Sequence, residues 1–181
     1  MKNILLLLCI LSSLSLHAQD IIFEDDFEGG TTFKTGWTAT PGTEGIVDIS
    51  TTAAFEGLNG VRIGKSSDGG FATNKLDLAL DLSAYDQVEL VFNILDFFNE
   101  DHDEDGLFLS DDGGSNWEPV FTFKPESWCD NQWGTYQPFD IDKLAAEAGL
   151  SLTANFVIRF QQYDNADFNG INDEDGFYID N

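Results

Sequence analysis

Two segments of the chain alternate apolar and polar side chains with a period of two, and this pattern constrains the fold more than any other feature. The segments are residues 86–96 and 155–162. Their apolar members are Val88, Leu90, Phe92 and Ile94 in the first, and Phe156, Ile158 and Phe160 in the second. A period of two is that of a β-strand with one face buried and the other in water. The sequence therefore predicts strands that cover a core on one side.

Nine shorter segments also have strand character, and clusters of Gly, Asp, Asn and Ser separate them at intervals typical of β-sandwiches. They comprise residues 21–27, 33–39, 46–51, 60–64, 71–78, 106–110, 117–123, 136–141 and 177–180. Only residues 142–149 have a helical pattern, with Asp142 as a candidate N-cap and Gly149 as a stop signal. No internal linker or repeat divides the chain, so the prediction is a single all-β sandwich domain with one short helix.

Residues 1–18 have the composition of a secretory signal peptide. Lys2 supplies a short basic start, residues 4–16 form an apolar stretch broken by three serines, and Ala18 is a small residue suited to cleavage. A membrane-spanning helix needs about 20 apolar residues, so we predict secretion without membrane insertion. The mature domain then comprises residues 19–181.

Cleavage would leave Cys129 as the single cysteine of the mature chain. One cysteine cannot close an internal disulfide, so the fold must be stabilised by its core, to which the 16 phenylalanines contribute. The formal net charge of -25 excludes nucleic acid and anionic membranes as electrostatic partners, because both attract basic surfaces.

A dense acidic loop suggests a cation site. Asp101, Asp103 and Asp105 stand at alternate positions, and Gly106 follows them directly. Ca²⁺ prefers oxygen ligands, and a glycine allows the sharp turn that lets three carboxylates converge. Strand periodicity precedes the loop where an EF-hand would have a helix, so the calcium would be bound by a loop of the sandwich. The alternative is a solvated acidic turn without a cation.

Catalytic patterns are weak in this chain. Residues 24–28 match the Glu-x-Asp-x-Glu pattern of laminarinase-like glycoside hydrolases, in which Glu24 and Glu28 would be the two acids. That pattern wants an apolar residue where Asp25 stands, and two glycines follow it. His102 is the only histidine of the mature chain and lies in an acidic run, so a Ser-His-Asp or Cys-His site lacks a base. We therefore expect no enzymatic activity.

Aromatic residues cluster in the polar segment 125–136. Exposed rings can stack on the faces of sugars, and Trp128 is the predicted ligand-binding ring. Trp117 and Trp133 are instead expected to close the end of the sandwich, because large aromatic side chains are mostly buried.

Five short segments, in a shared order, resemble MAM-like and cleaved-adhesin-like jelly-roll modules of secreted bacterial proteins, within the broader concanavalin-like and carbohydrate-binding jelly rolls. They are FEDDFEG (23–29), LSAY (82–85), LSDDGGSNWEPV (109–120), FVIRFQ (156–161) and DGFYID (175–180). The resemblance implies a jelly-roll β-sandwich of two antiparallel sheets, with a structural Ca²⁺ where the first and last strands meet. Asp26, Glu28 and Asp180 fall at matching positions for that ion, and Asn59 is a further candidate.

The last strand of such modules continues beyond this aspartate, whereas the chain ends at Asn181. We expect the chain to be part of a longer protein and its sheet to be left with an unpaired edge.

The expected function is that of a secreted, calcium-binding, non-catalytic module that recognises an extracellular glycan or protein, as in adhesion, alongside other domains of the same protein. A second hypothesis is a carbohydrate-binding accessory module of a polysaccharide-degrading enzyme. A third, less favoured, is a glycoside hydrolase.

Overall fold

The computed structural model of the protein describes residues 20–65, 72–97, 102–124, 131–164 and 176–181. This part of the chain forms twelve β-strands and one helix, α1 (Ile141–Glu147). The strands are β1 (Trp37–Thr40), β2 (Gly45–Ser50), β3 (Gly60–Lys65), β4 (Ala72–Leu80), β5 (Glu89–Leu90), β6 (Asn93–Phe97), β7 (Gly106–Ser110), β8 (Glu118–Thr122), β9 (Trp133–Thr135), β10 (Phe139–Asp140), β11 (Phe156–Asp164) and β12 (Gly176–Asp180).

Two five-stranded antiparallel sheets form the sandwich. The first sheet has the strand order β1-β4-β11-β7-β8, and the second has the order β2-β3-β12-β6-β9. A separate two-stranded ribbon joins β5 to β10. Except for β2-β3 and β7-β8, neighbouring strands are not consecutive in sequence, which is the crossing pattern of a jelly roll and confirms the predicted fold. Within the described ranges no helix is long and apolar enough to cross a membrane, since α1 has seven residues.

Aromatic rings fill the space between the two sheets. Phe160 of β11 meets Phe92 edge to face, with 5.0 Å between ring centroids, and Phe92 stacks on Phe139 at 5.7 Å. Phe123 and Phe177 also meet edge to face at 5.7 Å. Full burial of one such side chain contributes roughly 1.5 to 3 kcal/mol, and each aromatic pair adds about 0.5 to 1.5 kcal/mol.

Polar side chains join the two sheets inside the sandwich. Nζ of Lys65, on β3, lies 3.3 Å from a carboxylate oxygen of Asp164, on β11, and both side chains are almost fully buried. Asn74, on β4, donates through Nδ2 to the carbonyl oxygen of Gly64 at 3.0 Å and to Oε1 of Gln162 at 2.7 Å. Because a buried polar group that loses its partner costs about 1 to 3 kcal/mol, these contacts fix how the sheets sit on each other.

The strand predicted over residues 86–96 is divided into β5 and β6. Val88, Phe92 and Ile94 are buried and Leu90 is half-buried, while Val91, between the two strands, is exposed, all as the alternation predicts. The division arises because β5 pairs with β10 outside both main sheets, so that the chain changes partners after β5.

The helix begins at Ile141, one residue before its predicted start. Asp140 is the N-cap, and its carboxylate accepts a hydrogen bond from the backbone N–H of Lys143 at 2.9 Å. Asp142, the predicted cap, accepts a hydrogen bond from the backbone N–H of Val88. Gly149 follows the helix with a φ of 77°, a conformation that suits the predicted stop.

The last strand, β12, lies in the middle of the second sheet. It pairs with β3 on one side and with β6 on the other, and Asp180 still pairs with Asn93. The expected unpaired edge at this strand is therefore wrong, because the edges of the sheet are β2 and β9. That the chain is part of a longer protein stays a prediction.

Replacing Asp164 with Asn should destabilise the fold by about 3 to 5 kcal/mol, because the buried ammonium of Lys65 loses the carboxylate that lies 3.3 Å away. Urea denaturation followed by tryptophan fluorescence measures the loss. The double variant Lys65→Met/Asp164→Leu removes both charges and should recover most of the stability. A single variant as stable as the wild type would show that the pair does not hold the sheets together.

Candidate functional site

The outer face of the first sheet presents a band of half-buried polar and aromatic side chains. Strand alternation turns the buried residues of β4 and β11, among them Leu76 and Phe160, toward the core. The residues between them point outward. On this first-sheet face lie Thr73, Lys75 and Asp77 of β4, Phe108 of β7, and Arg159, Gln161 and Tyr163 of β11.

An ion pair with two parallel hydrogen bonds organises the middle of the first-sheet face. Nε and Nη2 of Arg159 donate to the two carboxylate oxygens of Asp77 at 2.7 and 2.8 Å. The guanidinium carbon lies 3.5 Å from the centre of the Trp117 ring, and the indole N–H donates to the carbonyl oxygen of Gly114 at 2.9 Å. A two-point pair and a cation–π contact restrict both side chains to one orientation, so this part of the face is preorganised.

The turn that precedes Trp117 depends on the carboxylate of Asp112. Its Oδ1 accepts hydrogen bonds from the backbone N–H groups of Ser115 and Asn116, both at 2.9 Å, and from the hydroxyl of Ser110 at 2.8 Å. Its Oδ2 accepts a hydrogen bond from the side-chain amide of Asn116 at 2.6 Å. These donors stabilise the ionised carboxylate, Asn116 most strongly, and lower the pKa of Asp112 to about 2.

Asp112→Ala should lower the melting temperature at neutral pH, because the turn loses these hydrogen bonds. A carboxyl group whose pKa is lowered by folding stabilises the folded state above its unfolded value of 3.8, and that contribution disappears as the pH falls through about 2. The difference in melting temperature between wild type and variant should therefore be largest above about pH 4 and shrink toward pH 2. A difference that stays constant with pH in thermal melts would contradict this role.

The acidic loop beside the first-sheet face fastens the end of β11. Asp105 is buried, and its carboxylate accepts hydrogen bonds from the backbone N–H of Tyr163 at 2.6 Å and of His102 at 3.2 Å. The ring of His102 packs edge-on against that of Tyr163, with 5.3 Å between centroids. Asp103 is exposed, and one of its carboxylate oxygens lies 3.6 Å from Nζ of Lys124.

The predicted calcium ligands of this loop therefore have different surroundings. Asp105 turns inward and Asp103 outward, while Asp101 lies outside the described residues. Over the described ranges, no group of three His, Cys, Asp or Glu side chains has the geometry of a metal site. The alternate spacing of the three aspartates predicted that their carboxylates converge. Asp105 instead points inward, because it is buried at the end of a strand. A cation in this loop stays a prediction.

Another pair of carboxylates, Glu28 and Asp180, meets where distant parts of the chain come together. Oε1 of Glu28 accepts hydrogen bonds from two successive backbone N–H groups, of residues 58 and 59, at 2.7 and 2.8 Å. Asp180 is buried, and its Oδ2 accepts hydrogen bonds from the N–H groups of residues 55 and 56 at 2.7 and 3.1 Å. Both carboxylates therefore hold the same loop, residues 55–59.

Burial raises the pKa of Asp180, and the negative charge of Glu28 adds to that rise, against the lowering effect of the backbone hydrogen bonds. Gly57 lies against Glu28, since a Cβ on this residue would stand 2.4 Å from Oε1, and its φ is +71°. This conformation favours glycine, and the absence of a Cβ lets the loop approach the carboxylate so closely. The two carboxylates therefore lie beside the same tight loop and repel each other.

The other two predicted ligands at this end lie close in sequence to that pair. The carboxylate of Asp26 accepts a hydrogen bond from the backbone N–H of Glu28 at 3.1 Å, and the side chain is exposed. Asn59 meets Glu28 through its backbone N–H. The structure thus brings Glu28 and Asp180 to one loop, while Asp26 contacts the backbone of Glu28.

Residues 24–28 do not form a strand, so the predicted strand over 21–27 is wrong. Asp25 is buried, and its carboxylate accepts hydrogen bonds from the backbone N–H of Phe27 at 2.9 Å and the indole N–H of Trp37 at 3.1 Å. Nζ of Lys34 lies 2.9 Å from the same carboxylate, and this hydrogen bond raises the pKa of Lys34. Asp25 therefore ties the segment to β1.

The structure can be compared with the positions that the sequence predicted for three tryptophans. Trp117 and Trp133 are half-buried on the outer faces of the two sheets, so the expectation that they close the end of the sandwich is wrong. Trp133 packs against Phe55 at 5.4 Å and Tyr178 at 6.4 Å, between ring centroids. Trp128 lies outside the described residues.

The first-sheet face is not among the sites predicted from the sequence. The alternation in residues 155–162 does indicate that Arg159 and Gln161 point away from the core, because they stand between its apolar members. Which polar positions share a surface depends on strand pairing, which places Asp77 opposite Arg159 and Lys75 opposite Gln161.

No protein-family model matches the chain, and no curated protein matches it in sequence. Solved structures do match its fold. The CBM22-1 xylan-binding domain from Paenibacillus barcinonensis Xyn10C has 14% sequence identity and a TM-score of 0.52, over 90% of this chain and 92% of that one. The CBM22-1–CBM22-2 tandem domain of the same protein has 14% identity and a TM-score of 0.51, over 92% of this chain. The chain spans 45% of that tandem's length.

A third similar structure is the family 30 carbohydrate-binding module of a cellulosomal cellulase from Clostridium thermocellum. It has 17% identity and a TM-score of 0.52, over 88% of this chain and 92% of that one. At these identities the likeness establishes a shared jelly-roll fold.

Proposed function

We propose that the protein is a non-catalytic, glycan-binding module of a secreted protein, and that the first-sheet face is its binding surface. The observation that carries the proposal is the band of polar and aromatic side chains on that open face, held in place by the Arg159–Asp77 pair. Sugars present C–H groups on their faces and hydroxyls on their rims, so a ring beside hydrogen-bonding groups suits them. The carbohydrate-binding modules described above support the proposal through their fold.

This is the carbohydrate-binding alternative predicted from the sequence, and the first-sheet face favours it over adhesion to a protein. Stable protein interfaces have an aromatic, apolar centre that is depleted of charged residues. The centre of the first-sheet face instead holds Arg159, Asp77, Lys75 and Gln161. Polar groups of this kind, in a fixed array, match hydroxyl groups better than an apolar protein surface.

In the described part of the chain, the central strands β4, β7 and β11 of this face do not present the pair of carboxyl groups that glycoside hydrolysis requires. Such enzymes place two carboxyl groups on either side of the scissile bond. Among the outward residues of β4, β7 and β11 in the described part of the chain, Asp77 is the single carboxylate, and Arg159 engages both of its oxygens. The proposed role is therefore binding without turnover.

Tyr163→Ala should weaken glycan binding about tenfold, because the ring supplies the stacking surface beside the polar residues. Affinity electrophoresis against a panel of neutral and carboxyl-bearing polysaccharides identifies the ligand, and isothermal titration measures the loss. The matched control is Tyr178→Ala, which removes a half-buried tyrosine from the outer face of the second sheet.

Equal loss of binding in both tyrosine variants, with unchanged melting temperatures, would contradict the choice of face. Release of reducing sugar from any polysaccharide of the panel would contradict the non-catalytic role, above all if Glu24→Gln or Glu28→Gln abolished it.

We further propose that a structural Ca²⁺ binds beside Glu28 and Asp180. Asp26, the third predicted acidic ligand, does not converge with them in this structure and would have to turn toward the ion. Support comes from the raised pKa of Asp180, to which the charge of Glu28 contributes, and from the shared loop that both carboxylates hold. A divalent ion there would replace repulsion between the carboxylates with attraction. The bound ion would fasten the end of β12 to the loop 55–59.

Calcium at about 100 times its dissociation constant should raise the melting temperature by roughly 5 to 10 °C, because a ligand of the native state then adds about 2.7 kcal/mol. Glu28→Gln should abolish most of this rise, whereas Asp103→Ala should leave it intact. The opposite pattern would move the ion to the acidic loop. Identical melting curves in calcium and in chelator, with no bound metal by elemental analysis, would remove the proposal.

A further inference from the structure

One lysine differs from every other cation in the described part of the chain. Seven lysines and arginines occur there. Six of them have a carboxylate oxygen within 4.0 Å: Lys34 with Asp25, Arg62 with Asp48, Lys65 with Asp164, Lys124 with Asp103, Lys143 with Glu147 and Arg159 with Asp77. The seventh, Lys75, has no ion pair with any described residue.

Lys75 lies within the first-sheet face. Its register partners are Thr40 on β1 and Gln161 on β11, both of which are uncharged. Asp77 follows it on the same side of β4, but both oxygens of that carboxylate are engaged by Arg159. The neighbouring strands therefore supply no carboxylate for the ammonium of Lys75 in the described part of this face.

A lysine without a carboxylate partner among the described residues is unexpected in a chain with 33 acidic and eight basic residues. Lys75 is also half-buried, so its stem packs against the sheet and the side chain belongs to the first-sheet face. An ammonium gains more from a carboxylate than from a hydroxyl, because the attraction between opposite unit charges adds to the hydrogen bond. A negatively charged group of the bound ligand would supply the counter-charge that Lys75 lacks among the described residues of this face.

We infer that Lys75 recognises a carboxylate carried by the bound glycan, so that the ligand class is a carbohydrate with uronic acid or similarly carboxylated sugars. This inference rests on the proposed glycan-binding function. Tyr163 is the diagonal neighbour of Lys75 across the β4–β11 pair, at about 7 to 8 Å between backbones. A sugar ring stacked on Tyr163 can therefore direct its carboxylate toward Nζ of Lys75.

The net charge of the protein further restricts the class of glycan that can bind. A net charge of -25 repels a continuous polyanion at low and moderate salt. Isolated carboxylates on a mostly neutral backbone avoid that repulsion and need one cation, which is what the face offers. Lys75 is thus a specificity-determining residue that separates carboxylated sugars from neutral ones.

The test compares each carboxyl-bearing polysaccharide of the panel, glucuronoxylan among them, with the same polysaccharide after chemical reduction of its carboxyl groups to alcohols. Isothermal titration of the wild-type protein should show about tenfold tighter binding to the native form of its ligand than to the reduced form. Lys75→Gln should bind both forms with the lower affinity, and Lys75→Arg should keep the preference. Lys143→Gln, on exposed α1, is the matched control and should behave as the wild type.

The possible results of this titration distinguish the role of Lys75 from glycan binding itself. Wild-type protein that binds native and reduced forms equally, or that binds only neutral polysaccharides, would overturn the role of Lys75 and leave glycan binding intact. Protein that binds no polysaccharide of the panel would overturn both. Unchanged melting temperatures across the variants show that the affinities report recognition and not unfolding.

Discussion

The inward packing of Leu76, Ile158 and Phe160 determines everything that the first sheet presents to its surroundings. Side chains alternate along a strand, so burying these three residues turns Asp77 and Arg159 outward. A slip of one residue would expose the core and bury both charges, which is costly on both counts. The first-sheet face is therefore specified by the apolar core beneath it.

Many carboxylates of this acidic chain are parts of its architecture. Asp105, Asp112 and Asp180 accept hydrogen bonds from backbone N–H groups at strand ends and turns, where the sheet leaves these donors unpaired. Aspartate is suited to this role because its short side chain reaches nearby backbone donors. The sequence suggests that the many acidic residues form cation sites. In the structure, several of them instead stabilise the loops between the strands. Glu28 and Asp180 differ, because they add mutual repulsion to their hydrogen bonds.

The alternation in the sequence was sufficient to predict the sandwich and most of its strands, because a period of two is local information. Strand β7 has the predicted bounds, and β12 begins one residue earlier than predicted. Pairing was not predictable in this way. The break after β5 follows from its partner β10, and the Arg159–Asp77 contact joins residues 82 positions apart. The same reason explains Asp105, whose spacing suggested a ligand while its place at the strand end turned it inward.

The two outer faces of the sandwich differ in how their aromatic rings are used. On the second sheet, Tyr178 packs against Phe97 at 4.3 Å and against Trp133 at 6.4 Å, so these rings largely cover one another. On the first sheet, Tyr163 borders a band of polar side chains, and its one aromatic neighbour among the described residues is the ring of His102, which lies perpendicular to it. The glycan proposed as ligand would stack on the face of a ring while neighbouring groups hydrogen-bond to its hydroxyls. On the first sheet the central polar groups are already fixed by the Arg159–Asp77 ion pair, so ordering them on binding would cost little entropy.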